Sequence, residues 1–329
     1  MATPPPPVTL QPARPEDTGA LAAFLTALHP DTPHSAESLR RTDVGRLPGE
    51  HHAVTLAWQE GALVGMVETE RARRFTRPGW YGLHVHATDD ALRDRLYRHG
   101  LHTLGHLDPP NSQVPVTLHT TVREHWPEAS WLQRLGWQEH ERMWISTLDL
   151  RTFTPDAFTE RRARADREGV RMQTLADLGW DDSELLQRRY YALVIGLLAD
   201  VPTTDPIDPW PFEVWRARIV QSPDFRPGGP LIATHGEDWI GMTELYVPRP
   251  GIPGTLHQGL TGVRREWRGR GAAWALKLSG AERARAQGWT HVRTGNHVTN
   301  REMLGINDAM GFVREPASVV LTLPWPANP

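Results

Sequence analysis

The chain contains no cysteine. That excludes disulfides, thiolate metal sites, zinc of the cysteine-rich kinds and a cysteine nucleophile. Lys277 is the only lysine among 36 basic residues, so nearly all positive charge is guanidinium. No apolar run approaches the ~20 residues that a membrane span requires, and no membrane partner is expected. A net charge of -3 provides no basic field, and local arginines alone do not support nucleic-acid binding. The run Met1 to Pro7 has neither the basic head nor the apolar core of a secretory signal. A disordered Pro-rich arm is expected over 1–7, and cytoplasmic location is the default expectation.

What is present is ordinary for a soluble protein: 329 residues, 39% hydrophobic and 23% charged. At ~150 residues per domain this suggests two domains. The order of elements repeats. Val8-Thr9-Leu10-Gln11 matches Val170-Arg171-Met172-Gln173, and Val64-Gly65-Met66-Val67-Glu68 matches Ile240-Gly241-Met242-Thr243-Glu244. Gly82-Leu83 matches Gly259-Leu260, and Leu135-Gly136-Trp137 matches Met310-Gly311-Phe312. A tandem duplication explains these pairs economically. The strand-like stretch Trp137 to Leu150 is expected to close the first half, and the strand from Phe312 the second. The charged segment between them reads as a partly helical linker.

The second half carries the chemistry-bearing stretch. A strand-like segment, Thr255 to Val263, leads through Arg268-Gly269-Arg270-Gly271-Ala272-Ala273 into a helix pattern that runs to Gln287. The first amides of a helix lack intrahelical partners and point outward, and the macrodipole adds positive charge there. Such a turn suits an anion, and glycines leave no Cβ to block a phosphate. The first half has Asp89-Asp90-Ala91-Leu92-Arg93 at about this place. Two acids suit a helix start but repel phosphate, so one working site per chain is expected, in the second half.

Together these residues resemble the GNAT superfamily of acyl-CoA-dependent N-acetyltransferases. The carriers of the resemblance are Arg268, Gly271 and Ala273, then Thr294-Gly295-Asn296, Asn300, Met303, Asn307 and Gly311-Phe312. It implies an α/β (α+β) chain of two tandem GNAT folds, a layout similar to that of mycothiol synthases. Each would be a mixed, mostly antiparallel central sheet flanked by helices, with a splayed strand pair holding CoA. The expected division is a degenerate GNAT-like domain at 8–150, a linker at 151–169 and a catalytic GNAT domain at 170–325.

The resemblance implies acetyl-CoA as cosubstrate and no metal. Its pyrophosphate would lie on the amides of Arg268, Gly269, Arg270, Gly271, Ala272 and Ala273, and its pantetheine arm along Thr261, Gly262 and Val263. Asn296, Asn300 and Asn307 would sit near that arm. Attack by an amine requires a base to take its proton. His257 on the central strand is one candidate and Glu244 on the preceding strand the other. Asn307 stands where the family often has a tyrosine that protonates the leaving thiolate. An amide cannot do so, which leaves Tyr190, Tyr191, Tyr246 or water as the acid.

The expected activity is transfer of acetyl from acetyl-CoA to a primary amine of a small molecule or peptide by direct attack in a ternary complex. The alternative is an acyl-CoA-binding sensor without turnover. A monomer or homodimer is expected. His99, His102 and His106 fall at helical spacing, and His84 and His86 share a strand face. Without an HExxH glutamate they read as exposed or packed residues rather than metal ligands. Trp210 and Trp215 are either core or one wall of an acceptor pocket.

Overall fold

The computed structural model describes residues 6–44, 51–71, 79–107 and 115–325, apart from 182, 206, 223 and 249. Except for Pro6 and Pro7, the expected arm at 1–7 lies outside the described residues. The chain divides into two compact units, 1–142 with 316–329, and 143–315.

In chain order the elements are β1 (Thr9–Pro12), α1 (Thr18–Leu28), α2 (Ala36–Val44), β2 (His52–Gln59), β3 (Ala62–Arg71), β4 (Trp80–Ala87), α3 (Asp90–Gly105), β5 (Val116–Arg123), α4 (Pro127–Arg134) and β6 (Gln138–Asp149). Then follow α5 (Thr159–Arg167), β7 (Arg171–Thr174), α6 (Glu184–Leu198), α7 (Phe212–Trp215), β8 (Leu231–His235), β9 (Asp238–Tyr246), β10 (Thr255–Val263), α8 (Ala272–Ala286), β11 (His291–His297), α9 (Arg301–Met310), β12 (Val313–Arg314) and β13 (Ser318–Trp325).

Within the first unit the strand order is β1-β2-β3-β4-β5-β13, with only β4 and β5 parallel. In the second it is β7-β8-β9-β10-β11-β6, with only β10 and β11 parallel and β12 paired to β6. The closing strands are therefore exchanged, which corrects the division at 8–150 and 170–325. Residues 143–149 pair with β11, and β13 pairs with β5 along its whole length. Local pattern could not show this. Both closing segments follow a helix ended by a left-handed glycine, Gly136 and Gly311, and both alternate in similar ways. Which sheet edge a strand joins is set by residues far away in sequence.

The core of the second unit has two layers. On one face of the sheet α8 buries Ala272, Ala275, Leu276, Leu278, Ala281 and Ala284. The other face packs Tyr190, Leu193, Val194 and Leu197 of α6 with Phe212 and Trp215 of α7. Each large apolar side chain buried this way contributes about 1.5–3 kcal/mol. Trp215 is thus core, while Trp210 is 45% exposed. The long helix α6 begins at Glu184. Ser183 caps it, its hydroxyl accepting the Leu186 N–H, while residues before it turn at Gly179. The expected linker holds α5, which packs against α8.

Candidate functional site

The second unit's sheet opens at one point. β10 and β11 pair in parallel from Thr255/His291 to Gln258/Thr294, and there the ladder ends. β10 continues to Val263 alongside β9, after a bulge between Gln258 and Thr261. Among the described residues no hydrogen bond joins 259–263 to 295–297. Bulges bend a strand and re-aim its side chains, so this one turns the end of β10 away from its parallel neighbour.

Glu244 lies opposite the bulge. Its Oε2 accepts the Leu260 N–H (3.2 Å) and its Oε1 accepts the Tyr190 hydroxyl (3.1 Å). Gly259 makes room for it, since a Cβ there would meet Oε2 at 2.8 Å. Burial pushes the Glu244 carboxyl up, and the Leu260 and Tyr190 bonds only partly offset this. Tyr190 is fully buried, and burial, followed by the Glu244 charge, raises its hydroxyl well above the usual range. His257 pairs across the strands with Tyr246, their rings 5.1 Å apart. Burial, then the Arg293 charge, lowers the His257 imidazole. Burial, then Glu244, pushes Tyr246 up to about 12.

Thr261, Gly262 and Val263 form the free end of β10. The Arg268 guanidinium folds back onto it, donating to the Val263 carbonyl (3.1 Å) and to Asp200 (2.6 Å), which also binds Arg265 (2.8 Å). The Arg268 amide is engaged as well, donating to the Arg265 carbonyl (3.2 Å). Gly269, Arg270 and Gly271 follow, and Ala272 and Ala273 open α8. Ala275 N–H bonds the Gly271 carbonyl (3.0 Å), so the amides of residues 272–274 precede the first intrahelical bond. No side chain caps this end. Its N-cap is Gly271 at φ 90.

Chain packing is a second reason for that glycine. A Cβ on Gly271 would sit 3.0 Å from the Ala165 amide nitrogen and 3.3 Å from the Arg164 Cβ, both on α5.

The three asparagines divide into two roles. Asn300 is the N-cap of α9, its side chain accepting the Met303 N–H (3.3 Å). Asn307 is buried and donates to Asn296 Oδ1 (2.7 Å).

Sequence reasoning missed a buried polar chain beneath the opening. Lys277 Nζ donates to Gln258 Oε1, Gln258 Nε2 donates to Thr243 Oγ1 (3.0 Å), and that hydroxyl meets the one on Thr261 (2.7 Å). Burial brings the Lys277 ammonium down to about 7. The signal was a lone lysine on the apolar stripe of a helix. Two concavities among the described residues lie elsewhere. A cavity of about 500 Å³ is lined by Phe153, Phe158, His291, Met310 and Glu315, and one of about 360 Å³ by Arg189, Glu237 and Trp239. The opening differs from both in joining a strand gap, a helix start and a half-buried carboxyl.

No protein-family model matches the sequence, and no curated protein does either. Solved structures do. A tandem GNAT protein from the clavulanic acid biosynthesis pathway superposes with a TM-score of 0.68 at 19% identity, over 98% of this chain and 99% of that one. A GCN5-related N-acetyltransferase from Sphaerobacter thermophilus gives 0.66 at 18% identity, over 96% and 95%. The fold is that of the GNAT acetyltransferases. In GNAT terms β10 and β11 are the splayed pair of the second unit, and β4 and β5 hold the same place in the first, parting after Gly82/His119. No helix among the described residues is long and apolar enough to cross a membrane.

Proposed function

We propose that the second unit moves an acetyl group from acetyl-CoA to a primary amine, by direct attack while both substrates are bound. The observation that carries this reading is the alignment of an uncapped helix start, a strand end without a parallel neighbour and a half-buried carboxyl along one opening. These residues fit the cosubstrate. The amides at the start of α8, from Gly269 to Ala273, suit its pyrophosphate, with Arg270 as a nearby cation. The edge of β10 from Thr261 to Val263 suits an extended arm laid alongside as an added strand.

The thioester supplies the acetyl group; the chain supplies position and proton handling. Holding amine and thioester together removes much of the entropic barrier. Glu244 is the favoured base, because burial makes its carboxylate more basic than an ordinary one and so a better acceptor for the ammonium proton. Its bonds to Tyr190 and Leu260 hold it in place. His257 is the second candidate, as its lowered imidazole is neutral at pH 7. As the N–C bond forms and the C–S bond breaks, the thiolate leaves. Asn307 is tied to Asn296 and gives it no proton, so Tyr190, Tyr246 or water remains as the source.

That asparagine favours the second reading, a sensor that binds acyl-CoA without turnover. Following free thiol release from acetyl-CoA with a panel of primary amines separates the two. Amine-dependent release is expected; CoA binding without release for any amine would support the sensor.

A further inference from the structure

Three side chains from three elements of the first unit converge on one point. His29 is the C-cap of α1, His86 stands near the end of β4, and Glu128 lies in the first turn of α4, after Pro127. His29 Nε2 and His86 Nδ1 are 3.1 Å apart, and Glu128 Oε1 is 3.5 Å from the first and 3.6 Å from the second. The side chains are 3%, 15% and 1% exposed.

Hydrogen bonding among the three does not account for this arrangement. One imidazole can donate to the other, but 3.5–3.6 Å is too long for either to serve the carboxylate well. Both Glu128 oxygens are buried without a hydrogen-bond partner. The two imidazoles beside it at 3.5 and 3.6 Å stabilise this carboxylate only in part, and a cation among the three would bind all of them more closely. The nearest cation, Arg93, approaches Oε1 only to 3.9 Å, and its terminal nitrogens are bound to Asp90 and to the Ala87 carbonyl. Three potential donor atoms, one from each side chain and 3.1–3.6 Å from one another, can surround a single electrophile.

Donors bound to a tetrahedral divalent ion at ~2.0–2.2 Å stand about 3.3–3.6 Å from one another, close to the separations found here. Two imidazoles and a carboxylate suit a borderline cation such as zinc rather than calcium or magnesium. The surroundings fix the donors. Trp126 stacks on the His29 ring, with centroids 3.6 Å apart, and its indole N–H donates to Asp31 (3.2 Å). From this geometry we infer that the first unit binds one divalent transition-metal ion, of the zinc class, through His29 Nε2, His86 Nδ1 and Glu128. This departs from the sequence expectation of no metal. There His86 was paired with its strand neighbour His84, whereas its partners lie 57 and 42 positions away in the chain, by numbering.

The test uses the full chain, stripped with a chelator, gel-filtered and then loaded separately with Zn2+ and Co2+. One zinc per chain by elemental analysis is expected, together with a Zn2+-dependent rise in melting temperature. Co2+ should give the intense visible bands of a low-coordinate site. His86→Gln and Glu128→Gln, checked for folding by circular dichroism, should each weaken binding by more than ~10-fold. A His102→Gln/His106→Gln variant removes the exposed histidine pair on α3 and should leave affinity unchanged. The inference is overturned if the wild type takes up no stoichiometric ion, if cobalt gives only the pale spectrum of its aquo ion, or if the exposed pair proves to hold the metal. The wild-type stoichiometry and spectrum decide the matter even if a substituted chain fails to fold.

Discussion

The same strand position carries a glutamate in both units, and its surroundings set it in opposite directions. Glu68 in the first unit faces His52, whose Nε2 is 2.9 Å away; burial raises its carboxyl, but that bond and the His84 charge outweigh the rise. Glu244 in the second unit has a tyrosine hydroxyl and a backbone amide instead, and burial prevails. The helix starts differ in parallel. Asp89 caps α3 with its own carboxylate, accepting the Leu92 N–H at 2.8 Å, whereas α8 starts at Gly271 with no side-chain cap. Beyond the point where the parallel strands part, His84 Nδ1 meets Thr120 Oγ1 (3.0 Å) in the first unit, and among the described residues the second has no such bridge. At these points the first unit closes on itself where the second stays open. On the reading proposed above, that difference separates the supporting unit from the catalytic one.

The largest effect should come from the paired glutamates. Glu244→Gln is expected to lower kcat/KM by ~10²–10⁴-fold. It should also remove the acid limb of the rate profile. In the wild type that limb lies above the usual carboxylate value of 4.5, with activity falling as pH drops through it. Glu68→Gln should leave both unchanged. If His257→Gln alone removes the acid limb, the histidine is the base.

Next come the helix starts. Ala273→Glu places an anion in the first turn of α8, where the helix tolerates it and a phosphate does not. CoA affinity should fall ~10-fold or more, about 1.4 kcal/mol, with the fold retained by circular dichroism. Ala273 serves better than Gly271, where both backbone conformation and α5 forbid a side chain. Asp89→Ala should cost about 1 kcal/mol of stability through the lost cap and leave CoA affinity unchanged.

The smallest effect concerns Lys277, whose folded-state ammonium is lowered from 10.5 to about 7. Between those values the unfolded chain binds the extra proton, so stability of the wild type should rise with pH across that window. Lys277→Met removes the dependence. Its melting temperature should exceed that of the wild type by a few degrees at pH 6, at ~2–4 °C per kcal/mol. The gap should shrink towards pH 10. An equal gap at every pH would mean that the lysine is not depressed by burial.

Much of this was legible in the sequence because it rests on local signals. The Gly-rich turn after β10, the alternation of β9 and β10 and the paired glutamates of the two halves are short-range patterns, and they foretold the GNAT fold. Three features were not legible, and each depends on contacts distant in sequence. The exchange of closing strands is decided at the edges of β5 and β11. The capping of α9 by Asn300 depends on the Met303 amide, which its position in the motif does not reveal. The bond from Tyr190 to Glu244 joins residues 54 positions apart on a helix and a strand.

The most direct measurement is the stoichiometry of acetyl-CoA or CoA binding to the full chain by titration calorimetry, with Ala273→Glu and Asp89→Ala alongside the wild type. One molecule per chain is expected, retained in Asp89→Ala and weakened in Ala273→Glu. Two molecules per chain, or one whose affinity is lost in Asp89→Ala and kept in Ala273→Glu, would contradict the assignment of the site to the second unit.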